Sequence, residues 1–114
     1  MRFLPQDETY VALRPEFTKL GRLINISKGG LAFRYFAHQR QGQAPTHLDL
    51  FTGNNGFHLS RLQCKVIYDI RFAENEKTSR LFEHRRCGLE FGEMTEVQAT
   101  QLEFYLTNHV AGEA

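Results

Sequence analysis

The chain has 114 residues, of which 41% are apolar, with ten Phe, four Tyr and a net charge of +1. That suits one domain, typically about 100–150 residues, and is too apolar and too weakly charged for a disordered chain. The near-neutral balance also argues against a general nucleic-acid binder, which carries a strong basic excess or a basic stripe, so no DNA partner is expected.

Residues 1–8 open the sequence MRFLPQDETY, which has no apolar core of the kind a signal peptide needs. They are expected to form a flexible segment. No apolar run in the chain approaches the ~20 residues required to cross a bilayer, so a cytoplasmic protein without membrane association is expected.

Residues 9–14, 19–26 and 31–36 are strand candidates. Pro15 breaks the run between the first two, because its ring removes a backbone donor. Gly29-Gly30 marks a tight turn between the second and third. Residues 37–46, rich in Gln, Gly and Pro, form a loop. Residues 47–52 (HLDLFT) and 57–62 flank Gly53-Asn54-Asn55-Gly56, residue types that tolerate positive φ, so this stretch predicts a hairpin.

The clearest pattern runs over 61–72. Leu62, Cys64, Val66, Tyr68, Ile70 and Phe72 are apolar at every second position, and Ile67 is the one exception. Such alternation predicts a long strand with one buried face, bent or bulged because few strands run that far straight. Residues 73–85 are polar and charged apart from Leu81 and Phe82, and read as a loop. Residues 86–91 (RCGLEF) alternate again, with Cys87, Leu89 and Phe91 on one face.

The period then changes. Thr95-Glu96-Val97-Gln98 matches a capping box, and Ala99, Leu102, Tyr105, Leu106 and Val110 recur at helical intervals up to an end near His109. The sum is a single mainly β domain over 1–114. It has a flexible segment at 1–8, a six-stranded antiparallel barrel at 9–92, and one C-terminal α-helix at 95–110 that lies on the sheet or plugs the barrel.

Catalytic and metal chemistry find little support. Cys64 and Cys87 lie in apolar strand patterns and read as buried, reduced thiols. No Cys/His cluster has metal-ligand spacing, so no metal is expected. The five histidines (His38, His47, His58, His84, His109) are scattered, and Ser27 lacks the G-x-S-x-G context of a hydrolase elbow. No enzyme, no catalytic residue and no cofactor are expected.

The segment 21–33, GRLINISKGGLAF, resembles the N-x-S-x-x-G version of the PilZ signature, filled by Asn25, Ser27 and Gly30. The order of elements is similar as well, from a short strand before the motif to a CGLEF-type strand running into a closing helix. The likeness extends from about Arg2 to Val110, nearly the whole chain. It implies a PilZ-like barrel and recognition of cyclic di-GMP, a bacterial second messenger.

The residue types suit that ligand. Asn25 offers an amide for a guanine edge, Ser27 adds a hydroxyl, and the Gly29-Gly30 turn lets backbone N–H groups approach an anion. The family's second element is an R-x-x-x-R pair, whose guanidinium groups clamp phosphates and read guanine edges. Arg2-Phe3 falls where the second arginine and its following apolar residue stand, and the first arginine would precede Met1.

The resemblance therefore implies ligand contacts at Arg2, Asn25, Ser27, Gly29 and Gly30. By position alone, Arg22 and Arg34 beside the motif are either auxiliary cations, if they project outward to the same surface, or ordinary solvated strand residues. His84-Arg85-Arg86 reads as a solvated strand edge. A protein partner or a fused effector domain would receive the signal. The alternative is a degenerate domain that acts as a nucleotide-independent interaction adaptor.

Overall fold

The computed structural model describes residues 1–15, 19–37, 44–53, 56–71 and 83–114. Its strands are β1 (Phe3–Pro5), β2 (Thr9–Arg14), β3 (Leu20–Ile26), β4 (Gly30–Ala37), β5 (His47–Thr52), β6 (His58–Arg71), β7 (Glu83–Phe91) and β8 (Val110–Glu113). One helix, α1 (Glu96–Asn108), lies between β7 and β8. Every pairing is antiparallel. Neighbours run β2-β5-β6-β7-β4-β3, and β3 pairs back onto β2, which closes a six-stranded barrel. Closure leaves none of the six as an open edge.

Alternation places one side of each strand inside. Val11, Leu13, Phe33, Leu48, Leu62 and Leu89 are buried there, each apolar side chain contributing about 1.5–3 kcal/mol when fully removed from water.

The runs 57–62 and 61–72 join into the single strand β6, kinked at Arg61, whose φ of 56° is left-handed. Asp49 holds this kink. Its carboxylate accepts from Arg61 N (3.0 Å), Arg14 Nε (2.8 Å), Arg14 Nη2 (2.9 Å) and His58 Nε2 (3.1 Å). The hydrogen bond from Arg14 is the largest cause holding Asp49 well below the usual carboxylate range.

The second half of β6 departs from the simple period. Val66 pairs with Leu89 but Tyr68 pairs with Gly88, so Ile67 is the extra residue of a β-bulge. One inserted residue exchanges the two faces downstream. Tyr68 and Ile70, expected on the buried face, therefore lie outside, and Ile67 and Ile70 are 55% and 52% exposed.

Asp69 takes the inward place opposite Cys87, where it accepts from the Tyr35 hydroxyl and from Arg85 Nε (2.8 Å), with Lys19 Nζ at 3.3 Å. Burial alone would raise the Asp69 pKa, but these donors and charges outweigh it and the net shift is downward.

Thr95 caps α1 as expected: its hydroxyl accepts from Gln98 N (3.1 Å) and Gln98 Oε1 accepts from Thr95 N (3.0 Å). Gln98 Nε2 also donates to the carbonyls of Ser60 and Arg61, both at 3.0 Å, which ties the first turn to β6. Leu102 and Tyr105 enter the core, and the Tyr105 and Thr9 hydroxyls meet at 2.7 Å. Ala99, expected on the apolar face, is exposed, and Val110 belongs to β8 rather than to the helix.

Residues 1–8, read as a flexible segment, include β1. Phe3 pairs with Ile26 of β3, and Phe3, Leu4 and Pro5 pair with Glu113, Gly112 and Val110 of β8. Strands this short carry no periodic signal, and their partners supply it. The turn residues Asn54 and Asn55, residues 38–43 of the loop expected at 37–46, Phe72, and residues 73–82 of the loop expected at 73–85 lie outside the described residues. Strand β7 already begins at Glu83, three residues before the expected start.

Candidate functional site

The motif lies where β3 turns into β4. Along β3, Leu23 pairs with Phe33 and Asn25 pairs with Ala32, so Ile24 is a bulge residue. Without it, period 2 from the buried Leu23 would send Asn25 inward. The bulge turns Asn25 to the outer side of the sheet, where it is nonetheless buried at 8% exposure, while Leu23 and Ile26 stay in the core.

Arg2 reaches the same place from the N-terminus. Its Nη1 donates to Asn25 Oδ1 at 2.8 Å, and its backbone carbonyl accepts from Ala114 N at 2.9 Å. Two residues 23 positions apart thus meet at one spot. The bond leaves Asn25 Nδ2 as a donor and orients the guanidinium across the motif.

In the turn, Ser27 N donates to the Gly30 carbonyl (2.8 Å), and Ser27 Oγ accepts from Gly29 N (3.3 Å). The two glycines have different reasons to be glycine. A Cβ on Gly29 would meet open space, whereas one on Gly30 would overlap the Leu89 carbonyl oxygen of β7. Neither glycine has a positive φ, so Gly30 is bare for close approach of two strands rather than for backbone freedom.

Arg22 and Arg34 are directly opposite on β3 and β4, one step along the same outer face as Asn25, and both are exposed. Arg22 Nη2 lies 3.3 Å from Glu8 Oε1. Two further residues on this face escaped sequence reasoning. Arg86 read as a solvated edge, yet it stands directly opposite Arg34 and donates from Nε to the Tyr68 hydroxyl at 3.1 Å. Tyr68 read as core. The lone break in alternation at Ile67 was the available signal for its reversal.

Burial pushes the thiol of Cys64 up to about 11 and that of Cys87 to about 12, so both are protonated at neutral pH. Among the described residues, no three His, Cys, Asp or Glu side chains are grouped to hold a metal ion. No helix among them is long and apolar enough to cross a membrane.

No family model matches the sequence, and no curated protein does either. Solved structures do match. One is MrkH, described as a c-di-GMP-dependent transcription regulatory factor, with a TM-score of 0.66 at 15% identity over 94% of this chain and 48% of that one. Another is the PilZ domain of YcgR from Escherichia coli with c-di-GMP, with a TM-score of 0.61 at 13% identity over 90% and 83%. The fold is that of a PilZ domain. This chain spans about half the length of the MrkH structure. At such identities the likeness lies in the PilZ architecture, and the chemistry of this barrel rests on its own side chains.

Proposed function

We propose that this chain is a receptor module for cyclic di-GMP, bound on the outer barrel surface beside Asn25, Ser27, Gly29 and Gly30, with Arg2 closing over the ligand. The observation that carries the reading is the Arg2–Asn25 hydrogen bond: a guanidinium and a side-chain amide are brought together at the motif turn of a PilZ-like barrel. A guanidinium is permanently charged and presents paired donors, so it suits a phosphate or the O6/N7 edge of guanine. The amide complements it with one acceptor and two donors.

The same arrangement suggests an output. Arg2 immediately precedes β1, and β1 bridges β3 of the barrel to β8 at the other end of the chain. A ligand that takes Arg2 away from Asn25 biases the register of the β1–β8 ribbon, and so the surface offered to a partner or an attached domain.

The test is isothermal titration of the 114-residue chain with cyclic di-GMP, using GTP as a control, on the parent and on the Asn25→Ala and Ser27→Ala variants. Saturable micromolar binding by the parent, weakened in both variants, is expected. Equal binding by all three would refute the site.

Exposed Val97 and Phe104, seven residues apart on α1, favour a second reading as a nucleotide-independent adaptor. In that case a partner would be retrieved equally with and without the nucleotide.

A further inference from the structure

We propose that Arg22, Arg34 and Arg86 form a phosphate-binding row on the outer face of β3, β4 and β7, so that the nucleotide site extends across the sheet beyond the motif turn. This rests on the nucleotide reading above.

Register builds the row. Arg22 pairs with Arg34, and Arg34 pairs with Arg86. On each of the three strands the flanking residues Leu23, Phe33, Tyr35 and Cys87 are buried, so the three arginines share the outer side. Adjacent strands lie about 4.8 Å apart, which gives a cationic row about 10 Å long. Like charges directly opposite on neighbouring strands destabilise a sheet, so the row opposes folding unless an anion offsets it.

Among the described residues, the row meets a side-chain partner at each end. Glu8 approaches Arg22 at 3.3 Å, and the Tyr68 hydroxyl accepts from Arg86. Among the described residues no side chain accepts from Arg34, the central member.

The neighbouring row explains why a nucleotide fits better than an acidic peptide. Asn25, Ala32, Gly88 and Tyr68 are paired in sequence across β3, β4, β7 and β6. Its middle is small: Ala32 has one methyl, and a Cβ on Gly88 would lie 2.6 Å from Tyr68 Cδ2, so the Tyr68 ring lies across the bare glycine. Ala32 and Gly88 are buried, so the row is open to a ligand at the partly exposed Tyr68 ring, on which a base can stack while its phosphates reach the arginines one step along. An acidic peptide would have no use for the aromatic ring.

The experiment uses the whole chain with Arg34→Gln, Arg86→Gln, their double variant and Asn25→Ala. Each is titrated with cyclic di-GMP, and the parent and double variant also with inorganic pyrophosphate, followed by calorimetry and by backbone amide shifts. Each glutamine is expected to weaken cyclic di-GMP binding about tenfold, as for loss of one guanidinium–nucleotide contact, with the gap narrowing as salt rises. Pyrophosphate should move the amides of β4 and β7 in the parent and not in the double variant.

The urea midpoint of Arg34→Gln should equal or exceed the parent's, since a like-charge opposition is removed; a structural role for Arg34 would lower it. If the glutamine variants bind cyclic di-GMP as the parent does while Asn25→Ala fails, the row is refuted and the motif site survives. If the parent binds pyrophosphate through the row but ignores cyclic di-GMP, the row stands and the receptor reading fails. If it binds neither, both fall.

Discussion

Alanine at Gly30 and alanine at Gly29 have opposite expected consequences, although the residues are adjacent in one motif. A Cβ on Gly30 would overlap the Leu89 carbonyl oxygen and lie 3.2 Å from its carbon and 3.3 Å from Glu90 Cα. These are backbone atoms of β7, so no side-chain rotation relieves the clash. Restoring a usual C···O separation of about 3.3–3.6 Å requires β4 and β7 to part by about 1 Å at this register. That movement weakens the Gly30–Glu90 pairing and the nearby bond from Phe91 N to the Gly29 carbonyl (2.9 Å). Overpacking at about 1–3 kcal/mol, plus one or two weakened hydrogen bonds at about 0.5–1.5 kcal/mol each, gives a loss of about 3–4 kcal/mol at the middle of these ranges.

A domain stable by about 5–15 kcal/mol survives such a loss. Gly29→Ala enters open space and should stay within about 0.5 kcal/mol of the parent. Urea unfolding followed by circular dichroism measures both. With a slope of about 2 kcal/mol/M, the Gly30→Ala midpoint should fall by about 1.5–2 M. A Gly30→Ala midpoint level with the parent, or equal shifts in the two variants, would refute the reasoning. Because Gly29→Ala keeps the fold, it also probes the ligand: weaker cyclic di-GMP binding at an unchanged midpoint is the expected result.

The Asp49 cluster predicts a pH dependence. The folded-state pKa of Asp49 is depressed from 3.8, so its contribution to stability is fully present above that value and is lost as pH falls toward the folded one. The parent's urea midpoint should therefore drop below pH 4 more steeply than that of Asp49→Ala, which should already be lower at pH 7; parallel curves would contradict this. Thr95→Ala removes one half of the capping box and should cost about 0.5–2 kcal/mol in the same assay, toward the low end because the cap is exposed. A thiol reagent at pH 8 should leave Cys64 and Cys87 unmodified in the folded protein and modify both in urea, since burial raises both pKa values to about 11 and about 12. Rapid labelling without denaturant would overturn their burial.

Local chemistry made much of this protein legible from sequence. The strands over 61–71 and 86–91 announce themselves by alternation, the earlier ones by the turn and breaker residues between them, the hairpin by its Gly and Asn residues, and the helix start by Thr95 and Gln98. Each depends on residues within a few positions of one another. The motif at Asn25, Ser27 and Gly30 is local for the same reason, and Ile67 stood out as the one break in its strand's period.

Tertiary pairing decided the rest. The bulges at Ile24 and Ile67 turn Asn25 outward, bring Tyr68 and Ile70 out of the core and send Asp69 in, because one unpaired residue inverts every side chain beyond it. Closure of the ring through β2 and β3, the ribbon of β1 with β8, and the meeting of Arg2 with Asn25 all join distant segments. The arginine row requires three registers to coincide across separate strands. A sequence specifies each strand's two faces through a short-range period. Which residues stand opposite one another is set by the free energy of the assembled barrel, where burial selects one register and bulges adjust it.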